Sequence, residues 1–427
     1  MEKSLLAGFI FIGMYVCIVS EKIHRTIVAM LGAIFMVLAG ILTQEQALHH
    51  IDFNTLGLLI GMMIIVAITS HTGLFNYVAI WAAKKAKADP VRILLYLSLL
   101  TALFSAFLDN VTTVLLMVPV TFGITNKLHL DPTPYLLLQI IASNIGGTAT
   151  LIGDPPNIMI GSAVKELTFA AFIENLAVIA IINLVAVLLV LTLFYRKKLK
   201  TQPQLQAQIM QLDERKEIKD PRLLVKCLAV LGLTILCFFL HQLLQLESSL
   251  VALSGAFILL LLAGRKPSVV EQALDKVEWT TIFFFIGLFI AVGGLIETGV
   301  IRQIAETAIS VTDGDVARTS LLVLWLSALV SAFLDNIPFV ATMIPLVQDM
   351  GNMGIENLNP IWWSLSLGAC LGGNGTIVGA SANLIVAGMA AERGVRISFM
   401  RYFKVGFPVM LLTILLSSIY IYCRYLL

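Results

Sequence analysis

Asp109 and Asp335 each sit inside an apolar stretch, within the identical hexapeptide Ser-Ala-Phe-Leu-Asp-Asn at 105–110 and 331–336. A carboxylate at the centre of a bilayer costs about 2.5–3.5 kcal/mol on insertion scales. Neither aspartate has Lys or Arg within several residues in sequence, so its charge must be offset by a distant partner, a bound cation or a proton. A carboxylate, an amide oxygen and the carbonyls of a helix break together suit a hard cation such as Na⁺, or a proton site. Asp109, Asn110, Asp335 and Asn336 are therefore the first candidate ligands. Thr112 and Thr113 add hydroxyls on the first tip only, where the second has Pro338 and Phe339. The structural alternative is that each aspartate caps the half-helix that follows it. Ser105 and Ser331 either reach the tips or bond back to their own turn.

A second constellation runs Gly146-Gly-Thr-Ala-Thr-Leu-Ile-Gly-Asp-Pro-Pro-Asn157 and returns as Gly372-Gly-Asn-Gly-Thr-Ile-Val-Gly-Ala-Ser-Ala-Asn383. No straight helix survives two adjacent prolines and three glycines, so the span should unwind in mid-membrane. Its half-helices then present free N–H groups at one end and free carbonyls at the other, a means of holding small ions. Asp154 has no acidic twin, because Ala380 takes its place; that asymmetry marks it as a candidate proton or ion carrier. Gly153, Asn157, Asn374, Gly379 and Asn383 join the candidate set, with Thr148, Thr150 and Thr376 as weaker members. A plain kink satisfied by its neighbours is the alternative reading of this region.

These motifs need elements to hold them, and the sequence supplies them twice. Residues 104–163 recur 226 positions later without a gap, and the same offset maps Gly61 onto Gly287 and Thr72-Gly73 onto Thr298-Gly299. Mean hydropathy is +0.94, with 13% charged residues against roughly 25% in soluble domains. Apolar runs of about 17–25 residues fill most of the chain. The reading is an all-α polytopic membrane protein of two inverted-topology repeats. Each has five transmembrane helices plus one re-entrant hairpin, and the fourth helix of each is broken. The crossings fall near 4–20, 26–42, 55–72, 135–163 and 172–195, then 223–244, 249–264, 279–296, 361–390 and 403–423. The hairpins pair 91–107 with 111–126 and 319–333 with 337–349. An odd number of crossings per repeat places the homologous halves in opposite orientation. With both termini outside a cytoplasmic (inner) membrane, 22 of the 28 Lys and Arg lie in inner segments and five in outer ones, in keeping with the positive-inside rule. The organisation expected is repeat 1–195, cytoplasmic linker 196–222 and repeat 223–427. The linker reads as a tether with no domain of its own, and Tyr77, Trp81, Lys84, Lys85 and Lys87 as an interfacial arm or connector. The first apolar run is read as a retained span and not a cleaved signal.

Other chemistry is thinly represented. Cys17, Cys227, Cys237, Cys370 and Cys423 contain no Cys-x-x-Cys and suit apolar packing, His49 and His50 fall in an outer loop, and no cofactor is implied. No His-Glu-x-x-His, Gly-x-Ser-x-Gly or nucleotide-binding loop occurs, so an intramembrane enzyme and direct ATP drive are not encoded. The basic residues form no stripe for nucleic acid. What remains is an ion-coupled secondary transporter of a small anion or of arsenite or antimonite, a Na⁺/H⁺ antiporter, or, in a different class, an anion channel.

The pattern Ser-Ala-Phe-Leu-Asp-Asn-Val-Thr-Thr, followed by Gly-Gly-x-Ala-Thr-x-Ile-Gly-Asp-Pro-Pro-Asn, resembles the arsenite-pump and melanosomal P-protein permeases of the ion transporter superfamily, and is nearest to the P-protein-like branch. More distantly the chain is similar to the divalent-anion:sodium symporters. The resemblance implies site roles for Asp109, Asn110, Asp335, Asn336, Gly153, Asn157, Gly379 and Asn383. It further implies an elevator motion, coupling to H⁺ or Na⁺, a homodimer in the lipid bilayer and, as in some arsenite pumps, a separate ATPase partner. The dicarboxylate carriers read Ser-Asn-Thr at their tips. Two added carboxylates disfavour a dianion unless they are protonated or hold cations.

Overall fold

The computed structural model describes residues 2–20, 22–244, 246–264 and 267–427. The first half contributes helices Glu2–Ser20, Arg25–Leu38 and Phe53–His71, then a short helix Leu74–Lys85. A hairpin follows (Pro90–Phe107 with Asn110–Lys127), then a fourth span in two pieces, Thr133–Thr148 and Pro155–Ala163, and a fifth over Phe169–Tyr195. The second half repeats this order. It has Pro221–Leu244, Ser248–Ala263, Trp279–Glu297 and the short helix Val300–Thr312, then the hairpin Val316–Phe333 with Asn336–Asn352. The broken span Asn359–Gly372 and Ser381–Glu392 precedes the last span, Phe399–Ile421. Among the described residues eight helices are long and apolar enough to cross a membrane, and there is no strand. The protein is an all-α, polytopic membrane protein built as two inverted repeats.

Small residues set the close approaches between the repeats. Phe53–His71 packs along Ser248–Ala263, and Arg25–Leu38 packs along Trp279–Glu297, a reciprocal pairing of second and third spans. A Cβ on Gly61 would lie 2.6 Å from the Ala252 carbonyl carbon, and one on its twin Gly287 would lie 2.5 Å from that of Ala29. Backbones that touch this closely are how membrane helices gain dispersion contact without a hydrophobic driving force between them. Each hairpin's first arm lies along the first half of its own broken span in the same manner. A Cβ on Gly146 would meet Ala102 O at 2.2 Å, and one on Gly372 would meet Ala328 O at 2.7 Å.

The linker region is docked rather than slack. Residues 196–222 form a helix, Pro203–Met210, and a single turn, Glu214–Glu217. Lys84 Nζ donates to Glu214 Oε2 at 2.5 Å and to Leu212 O at 2.9 Å. Asn76 Nδ2 donates to Glu217 Oε2 at 3.2 Å, and Lys219 N donates to Thr72 O at 2.9 Å. The hydrogen bond from Lys84 holds the Glu214 carboxyl below the usual range. Gly73 has φ +84, and a Cβ there would collide with Glu217 O, so only glycine admits this approach. The segment was read as a tether with no domain of its own; two of its carboxylates, Glu214 and Glu217, meet partners on the arm Leu74–Lys85. His50, in the outer loop, is half-buried with Nε2 3.2 Å from Glu297 Oε1.

Candidate ion site

Each hairpin tip is clasped to the broken span of its own repeat by the same bonds. Ser105 Oγ donates to Ser143 O and Ser331 Oγ to Ala369 O, both at 2.7 Å. Thr150 Oγ1 donates to Ala106 O, and Thr376 Oγ1 to Ala332 O at 2.5 Å. The serines therefore cross to the neighbouring span and do not bond back to their own turn. Gly153 and Gly379 let the break press on the tip: a Cβ there would lie 2.6 Å from Ser105 O and 2.8 Å from Ser331 O. Inside each break an asparagine ties down the loosened carbonyls. Asn157 Nδ2 donates to Thr150 O at 2.9 Å and Thr148 O at 3.2 Å, and Asn383 Nδ2 to Gly373 O at 2.7 Å and Thr376 O at 2.9 Å. Thr148 Oγ1 back-bonds to Asn144 O at 2.8 Å, as hydroxyls in helices commonly do.

The aspartates have three different environments. Asp109 caps the second arm of its hairpin, with Oδ1 accepting from Thr112 N at 2.8 Å and Oδ2 from Thr112 Oγ1 at 2.5 Å. Asp335 Oδ1 accepts from Ile337 N at 3.1 Å, while its Oδ2 takes Arg25 Nη1 at 2.6 Å and Ser381 Oγ at 2.8 Å. Asp154 precedes Pro155–Ala163 and is fully buried, but it caps nothing. Pro155 and Pro156 have no N–H, and Asn157 N bonds to the Asp154 carbonyl at 3.0 Å, so the donors a cap would use are missing. Its carboxylate receives Asn336 Nδ2 at 3.5 Å on Oδ1; Oδ2 has no hydrogen-bond partner. Cys370 lies beside this carboxylate, but its thiol donates to Asn157 Oδ1 at 3.5 Å.

Asp109, Asn110, Asp154 and Asn336 line one cavity of about 20 Å³, with Arg25, Glu278, Thr281 and Ser381 in its wall. That volume holds one water-sized occupant. On the far side of the Arg25–Asp335 pair a vestibule of about 300 Å³ opens, walled by Tyr15, His24, Arg25, Asp335, Ser381 and apolar side chains. Thr112 and Thr113 do not line the cavity; Thr113 Oγ1 is buried without a partner. Asn374 and Asn383 instead meet Asn144, whose Nδ2 donates to Asn374 Oδ1 at 3.0 Å and Asn383 Oδ1 at 3.1 Å. Asn110 Nδ2 donates to Asn144 Oδ1 at 3.2 Å. No group of three His, Cys, Asp or Glu among the described residues is placed to share a metal ion. An ion in the cavity would thus be held by one or two carboxylates with amide oxygens. Arg25, Asn144, Glu278 and Ser381 went unnoticed in the sequence. A polar residue in the apolar fourth span was the available signal for Asn144; Arg25 had none, since it reads as a loop cation.

The citrate transporter family matches over residues 15–368. The chain belongs to that family. It is 43% identical to an uncharacterized transporter of Mycobacterium bovis, over 99% of both chains. It is also 35% identical to the P protein of Homo sapiens, over 97% of this chain and 59% of that one. Among solved structures it resembles the YdaH transporter of Alcanivorax borkumensis, described as having an unusual topology. That match has a TM-score of 0.57 and 14% identity, and covers 99% and 98% of the two chains; it speaks for the fold. Citrate transporter family membership makes the chain a membrane transporter.

Proposed function

We propose that this transporter is a secondary active carrier whose coupling ion, a proton or Na⁺, binds in the cavity between Asp109 and Asp154. The observation that carries the reading is the buried, unpartnered Oδ2 of Asp154 beside a cavity of about 20 Å³. A buried carboxylate oxygen without a donor is costly unless it meets a cation or carries a proton. Three acidic side chains and one arginine wall this space, a balance that favours a cation over a dianion. The room suits an ion and not a tricarboxylate, since pockets for larger solutes run to about 300–1,000 Å³. Exchange of Na⁺ against H⁺ is therefore the form best supported. A second form, coupled uptake or extrusion of a small anion or arsenite, draws support from the vestibule of about 300 Å³ with His24 and Arg25 in its wall. The four clasp bonds that tie tips to breaks support movement of these elements as one unit, an elevator motion. The test is flux in proteoliposomes loaded with a pH-sensitive dye under imposed Na⁺ gradients, with and without arsenite or citrate. Proton movement driven by Na⁺ alone establishes exchange; movement only with added solute establishes the coupled carrier; movement of solute with no ion dependence refutes both in favour of a channel.

A further inference from the structure

The two tips share their hexapeptide and their backbone course, with Leu108 at φ −122, ψ 151 and Leu334 at φ −120, ψ 147, yet their carboxylates are satisfied by different chemistry. At the first tip Thr112 supplies both an N–H and a hydroxyl to Asp109. The matching residue at the second tip is Pro338, which has neither donor. Asp335 compensates with Arg25, at 2.6 Å, and Ser381, at 2.8 Å. Arg25 comes from the start of Arg25–Leu38, on the pair of spans opposite the hairpin, and its guanidinium also stacks 5.0 Å from the centre of the Phe284 ring. The first tip has no such cation: in these helices Ala29 matches Ala252, so the residue matching Arg25 is Ser248, at the start of Ser248–Ala263, and it is buried. The first repeat has a second acid instead: Asp154, where the second repeat has Ala380.

We infer that Arg25 is a tethered cation occupying the second tip, so that the protein binds one mobile coupling ion, at Asp109 and Asp154, and none at Asp335. This rests on the proposed function and narrows it. Arginine stays protonated at any working pH and binds carboxylates with a planar fork, so it is a permanent occupant where the first repeat takes an exchangeable one. Arg25 thereby sets the ion stoichiometry as a positioning residue, without touching the mobile ion's carboxylates. The other charged groups near Asp335 are Asp109, Asp154 and Glu278 on the central cavity and His24 on the vestibule; among the described residues Arg25 is the sole arginine or lysine in either wall.

The count can be read directly. Purified protein in detergent is titrated with ²²Na⁺ in a scintillation proximity assay, and protons displaced are followed with a pH dye in weak buffer. The parent should bind one Na⁺, or release one proton, per chain. Arg25→Gln should raise that count to two, and Arg25→Lys, which restores a tethered cation, should return it to one. If Arg25→Gln fails to fold, the double variant Arg25→Gln with Asp335→Asn removes both charges and should still count one. A parent that binds two, an Arg25→Gln variant that still binds one, or a double variant that binds two overturns the inference. A parent that binds neither ion refutes the proposed function itself.

Discussion

Asn144 and Cys370 stand at matched positions of the two repeats, and each donates to the asparagine in the other repeat's broken span. Asn144 Nδ2 reaches Asn383 Oδ1 at 3.1 Å, and Cys370 Sγ reaches Asn157 Oδ1 at 3.5 Å. The two breaks are thus cross-stitched at the centre, strongly on one side and weakly on the other, with Ser366 Oγ adding a bond to Asn157 Oδ1 at 2.5 Å.

Asn144→Leu leaves Asn110, Asn374 and Asn383 each short of a partner. Buried polar bonds between membrane helices contribute about 1–2 kcal/mol, so the variant should melt clearly below the parent in detergent. Cys370→Ala should fall by much less, because Ser366 still serves Asn157. Equal losses in the two variants would contradict the stitch.

Asp154→Asn and Asp109→Asn should reach the membrane in parental amounts and lose coupled flux. Removing a charged hydrogen-bonding partner costs about 1.5–3 kcal/mol, or roughly 10–150-fold in ion affinity. The readout is the Na⁺ concentration for half-maximal dye response in proteoliposomes. Parental values in both variants would sink the site.

Gly146→Ala and Gly372→Ala should both destabilise the packing of hairpin on broken span, since the new Cβ meets a backbone carbonyl oxygen at 2.2 Å and 2.7 Å. Overpacking of this kind costs about 1–3 kcal/mol. The first variant, with the closer clash, should lose more on thermal unfolding monitored by tryptophan fluorescence.

The docked linker should respond to acid. The bond from Lys84 lowers the Glu214 carboxyl, so docking is fully favoured above the ordinary carboxylate range and weakens as pH falls through the lowered value. Hydrogen exchange across 203–217, corrected for intrinsic rates, should rise as pH is taken from 7 to below about 4. Glu214→Gln should exchange faster at neutral pH and show little further change with acid.

Most of the architecture was legible because hydropathy and an ungapped repeat act on whole segments. The breaks at Asp109, Asp335 and Pro155-Pro156 lie where the polar and proline signals place them. Asp154 also stood out, through its missing twin. Arg25 was invisible because its partner lies 310 residues away and only packing brings a loop cation onto a hairpin tip. Asn144 was hidden by the comparison that revealed the rest, since its match is Cys370 and matched polar pairs were the signal. Thr112 and Thr113 looked like ligands by type, yet one supports the cap of Asp109 and the other is buried outside the cavity wall. The linker's order lay in pairings such as Lys84 with Glu214, which composition does not encode.

The clasp of Ser105 with Thr150 and that of Ser331 with Thr376 are one joint made twice from a single ancestral sequence, facing opposite ways. Every substitution in one joint therefore has a built-in control 226 residues along the same chain. A pair of such variants shares chemistry and burial, and differs in the tip it loosens, one carrying Asp109 with its Thr112 cap and the other Asp335 with its Arg25 partner. Any difference in their behaviour reports how far the two tips have diverged in what they do.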